Sequence, residues 1–393
     1  MSKIDELISK YCPNGVVYRK VSDVAKVSIG EFVHKNNQNP DGLYPVYNGG
    51  TSNTGYYDEF NNTANKIIIS ARGANAGFVN KVLVDYWAGN SCYTIDVVSD
   101  ELDWNFVYYF LKNSEKSLIG QQQTGSIPAV SKKQIETFKI PIPPLSVQQE
   151  IVRILDGFSE LEKELEKELV ARRKQYEYYR NQLVSFGEGG NHVCDVKWMK
   201  LGDVCDIVRG ASPRPIQKYI TTDDVGVPWI KIGDVPKESK YIMKTAEKIT
   251  SEGASKSRLL KKGDFILSNS MSFGRPYILG ISGCIHDGWI AMSGIEHLLL
   301  PDYLYHLLRT NLVQNYWKQK ANKGSVSNLN ADIVRGTVIP VPPIAEQERI
   351  VAILDKFDAL VNDIAVGLPA ELKARRKQYE YWRNKLLDFK EAV

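Results

Sequence analysis

The amino-acid sequence predicts an α+β protein: two globular α+β domains separated by two long helices that pair as an antiparallel coiled coil, on a pseudo-twofold internal duplication. Three observations predict it. Residues 140–158 recur as 339–357 and residues 171–186 recur as 374–389. The recurring blocks place apolar residues three and four positions apart over roughly 40 residues, the period of a helical seam. The stretches between them instead alternate short β-rich runs with Gly, Asn and Pro turns. This divides the chain into a first variable domain (1–139), a first spacer helix region (140–186), a second variable domain (187–338) and a second spacer helix region (339–393).

In the first variable domain, Lys66–Ser70 and Ser91–Val98 read as strands and Trp104–Lys112 as an amphipathic helix. The first spacer block opens on Pro143-Pro144, tolerated only in a first turn, with Ser146 a candidate cap. The second variable domain repeats the plan with strands at Asp264–Ser268 and Thr337–Ile339 and a helix at Tyr303–Leu312. In the repeated blocks ten of 18 positions (141–158 against 340–357) and 12 of 16 (171–186 against 374–389) are identical, which only duplication explains. Weaker echoes join Pro45–Gly49 to Pro228–Ile232 and Thr124–Ile127 to Lys323–Val326. The second copy carries four extra residues between its blocks; Gly367 and Pro369 lie there and predict a break with a restart at Ala370. A helix of about 40 residues would be roughly 60 Å long. The alternative is that each helix packs onto its own globular domain.

The 393 residues include 50 Lys plus Arg and 46 Asp plus Glu, a formal charge of +4, and 43% are hydrophobic. That composition excludes disorder and fibrous classes. Five cysteines without a Cys-x-x-Cys pair point to a reducing, cytoplasmic setting. The charged start and the lack of a long apolar run predict no signal peptide and no membrane span.

The usual catalytic constellations are missing from the sequence. There is no phosphate loop, no Gly-x-Gly-x-x-Gly, no Gly-x-Ser-x-Gly elbow and no His-Glu-x-x-His. Asn39-Pro40-Asp41-Gly42 is not the Asn-Pro-Pro-aromatic loop of amino-methyltransferases, and His286-Asp287 reads as a hydrogen-bonded turn. The expectation is a non-catalytic chain with no metal and no cofactor of its own.

What the variable domains offer is amide-rich and basic loops at matching places. Arg and Lys suit guanine O6 and N7, Asn and Gln suit adenine N6 and N7, and Lys and Ser suit phosphates. In the first domain the DNA-binding candidates are His34, Lys35, Asn36, Asn48, Arg72, Asn75, Gln121, Gln122, Gln123, Thr124 and Ser126. In the second they are Arg214, Lys231, Asn269, Ser270, Arg275, Lys320, Asn322, Lys323 and Ser325. Each loop alone also reads as a solvated turn; occurring twice gives the set its weight.

Pro143-Pro144-Leu145 with Gln148, Pro342-Pro343-Ile344 with Gln347, and the two Ala-Arg-Arg-Lys-Gln-Tyr-Glu-Tyr blocks resemble the DNA-specificity subunit of type I restriction-modification systems. The resemblance covers essentially the whole chain. It implies that each variable domain is a target-recognition domain for one half of a bipartite asymmetric DNA site, and that the helices act as a ruler and dock two modification subunits. It also implies that S-adenosylmethionine, ATP and magnesium belong to modification and restriction partners. Half-sites one helical turn apart, with 3 to 4 bp each, leave a gap of roughly 6–7 bp. Docking candidates are Gln148, Arg172, Arg173, Tyr178, Arg180, Gln347, Arg375, Arg376, Tyr381 and Arg383, with internal helix packing as their other reading. The rival function is a coiled-coil adaptor whose variable domains bind RNA or protein.

Overall fold

The computed structural model describes residues 3–119, 128–186, 195–235, 239–269, 273–295, 298–321, 329–363 and 365–392. The chain forms two compact units, one of residues 1–164 with 373–393 and the other of residues 165–372. Each unit therefore combines one variable region with helix from both copies of the repeat.

Among the described residues, the first unit is built on a four-stranded antiparallel sheet ordered Ala25–Ile29, Cys92–Val97, Lys66–Ser70, Val79–Val82. A second sheet orders Gly55–Tyr57, Tyr44–Tyr47, Trp87–Ala88, its last pair parallel. The run Lys66-Ile-Ile-Ile-Ser is apolar without alternation because both of its faces are covered. Ile67 and Ile69 enter the core beneath the helices, with Phe106, Val147, Ile151 and Leu155. Ile68, one residue out of phase, points the other way into a smaller core with Val82, Tyr86 and Ala88.

The second unit repeats this order and adds to it. Its first sheet runs Asp206–Arg209, Trp289–Ser293, Phe265–Ser268, Pro276–Leu279, Tyr241–Ile242. Its second runs Ile220–Thr221, Glu247–Ile249, Val227–Ile230, Gly283–Ile285, Arg258–Leu260, again with a parallel pair at Val227–Ile230 and Gly283–Ile285. Phe265 and Leu267 face the helices while Ile266 faces the second core. The extra strands account for the greater length of this variable region. No described helix is long and apolar enough to cross a membrane.

The first spacer helix is continuous from Leu145 to Val184. It starts directly after Pro144, whose carbonyl accepts from the Val147 and Gln148 amides, so Ser146 lies inside the first turn and is not its cap. The second copy is two helices, Ile344–Asn362 and Leu368–Leu386. The break comes earlier than Gly367 because Asp363 Oδ1 accepts from the Ala365 amide (2.6 Å) and the Val366 amide (3.2 Å). Helix resumes at Leu368, two residues before Ala370, since Pro369 is tolerated in a first turn.

Both packing readings hold, for different stretches. In the first unit Phe158 meets Tyr379 (ring centroids 6.3 Å) and Arg376 Nε donates to Glu162 (2.6 Å), an antiparallel pairing. In the second, Phe357 stacks on Tyr176 at 6.2 Å and on Tyr179 at 5.4 Å. Phe158 and Phe357 are repeat equivalents, as are Tyr176 and Tyr379, so the same contact is made twice with the copies exchanged. The fully buried positions, Val147, Ile151 and Leu155 with Ile350 and Leu354, face the variable regions instead.

Candidate nucleic-acid interface

In the second unit the loop after strand Asp206–Arg209 and the turn before Trp289–Ser293 meet at one end of the sheet. Ser212 Oγ donates to Asp287 Oδ1 (2.9 Å) and accepts from the Asp287 amide (3.3 Å). Arg214 Nη2 donates to Asp287 Oδ2 (3.3 Å), and Arg209 Nε donates to the Asp287 carbonyl (3.0 Å). The Ser212 hydrogen bond is the main reason the Asp287 carboxyl is held below its ordinary pKa, with the His286 and Arg214 charges adding to it. His286 Nδ1 accepts from the Gly288 amide (2.8 Å), the hydrogen-bonded turn that its sequence suggested. Ser212, Arg214, His286 and Asp287 border a cavity of about 390 Å³ that also takes in half-buried Lys231 and buried Trp229.

Of the candidates in this unit, Arg214 and Lys231 come together on that cavity, Lys231 paired to Glu247 at 2.6 Å. Asn269 is corrected: it is buried, its Nδ2 donating to the Asp287 carbonyl (3.2 Å), so it braces the turn and offers no edge to a ligand. Arg275 lies apart, over the Tyr277 ring (5.4 Å) and beside a different cavity lined by Phe273, Arg309 and Gln314. Lys320 is exposed, near the Tyr316 ring (5.8 Å). Ser270, Asn322, Lys323 and Ser325 lie outside the described residues.

In the first unit Asn48 and the Arg72 loop come together at the matching end of the sheets. Strand Tyr44–Tyr47 pairs with Trp87–Ala88 as Val227–Ile230 pairs with Gly283–Ile285, which puts Asn48 where the second unit has Lys231. Asn48 Oδ1 accepts from the Ser91 amide (3.1 Å), and the Ser91 carbonyl accepts from the Ala71 amide next to Arg72. Arg72 and Asn75 are exposed on a tight loop in which Gly73 (φ 89°) and Gly77 (φ 84°) take backbone conformations that favour glycine. His34 caps the short turn Lys35–Asn37, its Nδ1 accepting from the Asn36 amide (3.2 Å), so that ring nitrogen is spent locally. Gln121, Gln122, Gln123, Thr124 and Ser126 lie outside the described residues.

The helix candidates divide sharply. Gln148 and Gln347 are corrected: both are fully buried staples. Gln148 Oε1 accepts from the Asp103 amide (2.8 Å) while Nε2 donates to the carbonyls of Glu101 (2.8 Å) and Pro143 (2.6 Å). Gln347 does the same with Leu300, Leu298 and Pro342. Arg180 is also corrected, being buried with its guanidinium on the Tyr176 ring (5.0 Å). Arg383 is half-buried, over the Tyr379 ring and bonded to Asn113 Oδ1 (3.0 Å), and serves internal packing. Arg172 and Arg375 each bond the glutamine three residues on, Gln175 and Gln378. Arg173 is exposed, and the equivalent pair Tyr178 and Tyr381 stand out at 60% and 59% exposure.

The model of the type I restriction modification DNA specificity domain matches this chain twice, over residues 13–171 and 194–374. The chain belongs to that family. It is similar to a putative type I restriction enzyme specificity subunit of Haemophilus influenzae, 33% identical over 365 residues, covering 88% of this chain and 89% of the relative. It is 34% identical over 299 residues to the EcoR124I/EcoR124II specificity subunit of Escherichia coli, covering 72% and 70%. Among solved structures it shares its fold with the type I S subunit of M. genitalium (TM-score 0.58, 19% identity, 95% and 97% covered). A chain solved in work on assembly and conformational transition of the type I system gives TM-score 0.62 at 16% identity, 96% and 98% covered.

In this specificity subunit, two partly buried clusters that sequence reasoning missed fasten each recognition region to its spacer helices. In the first unit Asp156 accepts from Tyr109 Oη (2.5 Å) and pairs with Lys81 (3.4 Å). In the second the repeat-equivalent Asp355 accepts from His306 Nε2 (2.7 Å) and pairs with Lys240 (3.0 Å). Gln148 binds Asp103 and Glu101 as Gln347 binds Leu300 and Leu298, which makes Tyr109 the repeat counterpart of His306. The signal was present in Ile-Leu-Asp-x-Phe, which sets a carboxylate inside an apolar run in both copies. Among the described residues no three His, Cys, Asp or Glu side chains are grouped to hold a metal ion.

Proposed function

We propose that this specificity subunit reads a split, asymmetric DNA target, each recognition region reading one half. One observation carries the reading: two units share a sheet order and present unlike side chains at the same end, Asn48 against Lys231 and a His34 turn against the Arg214–Asp287 pair. Like scaffolds with unlike loops bind two sites of equivalent geometry and different sequence. Half-sites read from one DNA face lie about one helical turn apart, which sets a gap of roughly 6–7 bp. Joint engagement raises affinity through effective concentration.

Two modification subunits dock on the spacer helices in this reading, at Arg173, Tyr178 and Tyr381 with Arg172, Arg375 and Arg376. Tyr and Arg favour interface cores, and the Tyr178–Tyr381 equivalence supplies two like sites. S-adenosylmethionine belongs to those subunits, and ATP with magnesium to restriction subunits joined through the complex; this chain holds no cofactor. The test is adenine-methylation mapping in cells that express this chain with its modification subunit. A new motif of two unlike short halves with a fixed gap supports the reading. No motif from an assembled complex moves the weight to an adaptor for RNA or protein.

A further inference from the structure

We propose that Arg214, oriented by Asp287, selects a G·C pair in the half-site read by the second recognition region. The inference rests on the DNA-reading function above and assigns one base position within it.

Asp287 is fixed from several sides: Ser212 at its carboxylate and its amide, and Arg209 Nε and Asn269 Nδ2 at its carbonyl. A carboxylate so held is a rigid post for the guanidinium 3.3 Å away. The Arg214 side chain is nonetheless 83% exposed, so the rest of its fork faces outward. An arginine that is both oriented and presented loses little rotamer freedom when it meets a planar partner.

Charge decides which partner. A phosphate approaching Arg214 meets the Asp287 carboxylate beside it, and the other cation on the cavity, Lys231, is already paired to Glu247. Both positive charges here are compensated, which disfavours a phosphate and suits a neutral base edge. Guanine presents two acceptors, O6 and N7, to the guanidinium, and its partner cytosine presents the N4 amino donor to a carboxylate. An Arg–Asp pair is the complement of that pattern. Adenine would set its N6 donor against the guanidinium. The first unit has Asn48 in place of Lys231, so the two halves differ at this position.

The experiment maps methylation by the whole complex, this chain with its modification subunits, for the natural chain and for Arg214→Ala, Arg214→Gln and Asp287→Asn. The expected result is a two-part motif in which Arg214→Ala lowers guanine preference at one position of one half by about 10- to 100-fold. The other half and the gap stay as they were. Arg214→Gln moves the preference at that position toward adenine, and Asp287→Asn weakens it less. Uniform loss across all sequences assigns Arg214 to a phosphate and overturns the proposal, as does an unchanged motif. A natural complex that assembles and yields no two-part motif overturns the DNA-reading function itself, and the base assignment with it.

Discussion

His306 shows how one residue can make two equivalent clusters behave differently. Where the first unit has Tyr109, the second has an imidazole surrounded by Tyr176, Asp355, Tyr305, Lys240 and Asp358. Burial lowers its pKa below the ordinary histidine value, outweighing the Asp355 hydrogen bond that raises it. The unfolded chain therefore binds the proton first as pH falls, and stability contributed above the unfolded value of about 6.5 is lost below it. Thermal melting from pH 7.5 to 5.5 should show His306→Gln losing less stability than the natural chain; equal slopes would remove His306 as the source. Gln148 makes a second residue-scale case. Its three hydrogen bonds are internal, so Gln148→Ala leaves buried backbone groups unpaired at a cost of about 1–3 kcal/mol, measured by denaturant unfolding. The sequence marked both glutamines as special through the Pro-Pro-x-x-x-Gln spacing but could not separate a staple from a docking residue. Burial makes that distinction.

Elements were legible where a pattern ran long. The helical seam, the proline entry to each spacer helix and the β-rich runs follow from period and composition, and the strands Lys66–Ser70 and Phe265–Ser268 lie within the stretches expected. Gly367 and Pro369 predict the break in the second copy, whereas Asp363 ends the helix by capping the turn beyond it. A local side-chain bond outcompetes the helix there. The uninterrupted first helix carries Gly157 at a position where a Cβ would meet no atom within 4 Å. Gly157→Ala should therefore stabilise by about 0.5–1 kcal/mol, seen as a higher unfolding midpoint. Its repeat equivalent is already Lys356, a side chain that the helix accepts.

The whole molecule raises the question of how two reading units are spaced and joined to partners. If the spacer helix is the ruler, inserting one helical turn between residues 158 and 171 lengthens the gap in the methylated motif and leaves both half-sites unchanged. Altered half-site bases at constant gap would sink the ruler. If Arg173, Tyr178 and Tyr381 hold the partners, Tyr178→Ala with Tyr381→Ala should abolish co-purification of the modification subunit while the chain keeps its melting behaviour. Retained assembly would move the interface elsewhere.

The duplication, the order of variable and helical regions and the family are legible in the residues alone, because identity and period are properties of the chain. Tertiary structure decided which residues serve which purpose. Arg180, Asn269, Gln148 and Gln347 read as available ligands until their burial and bonding are known. It also brought Ser212, Arg214 and Asp287 together across some 75 positions of sequence, and joined residues of both repeats within each unit. Contacts between distant segments are set by how sheets and helices pack, and no local pattern records them.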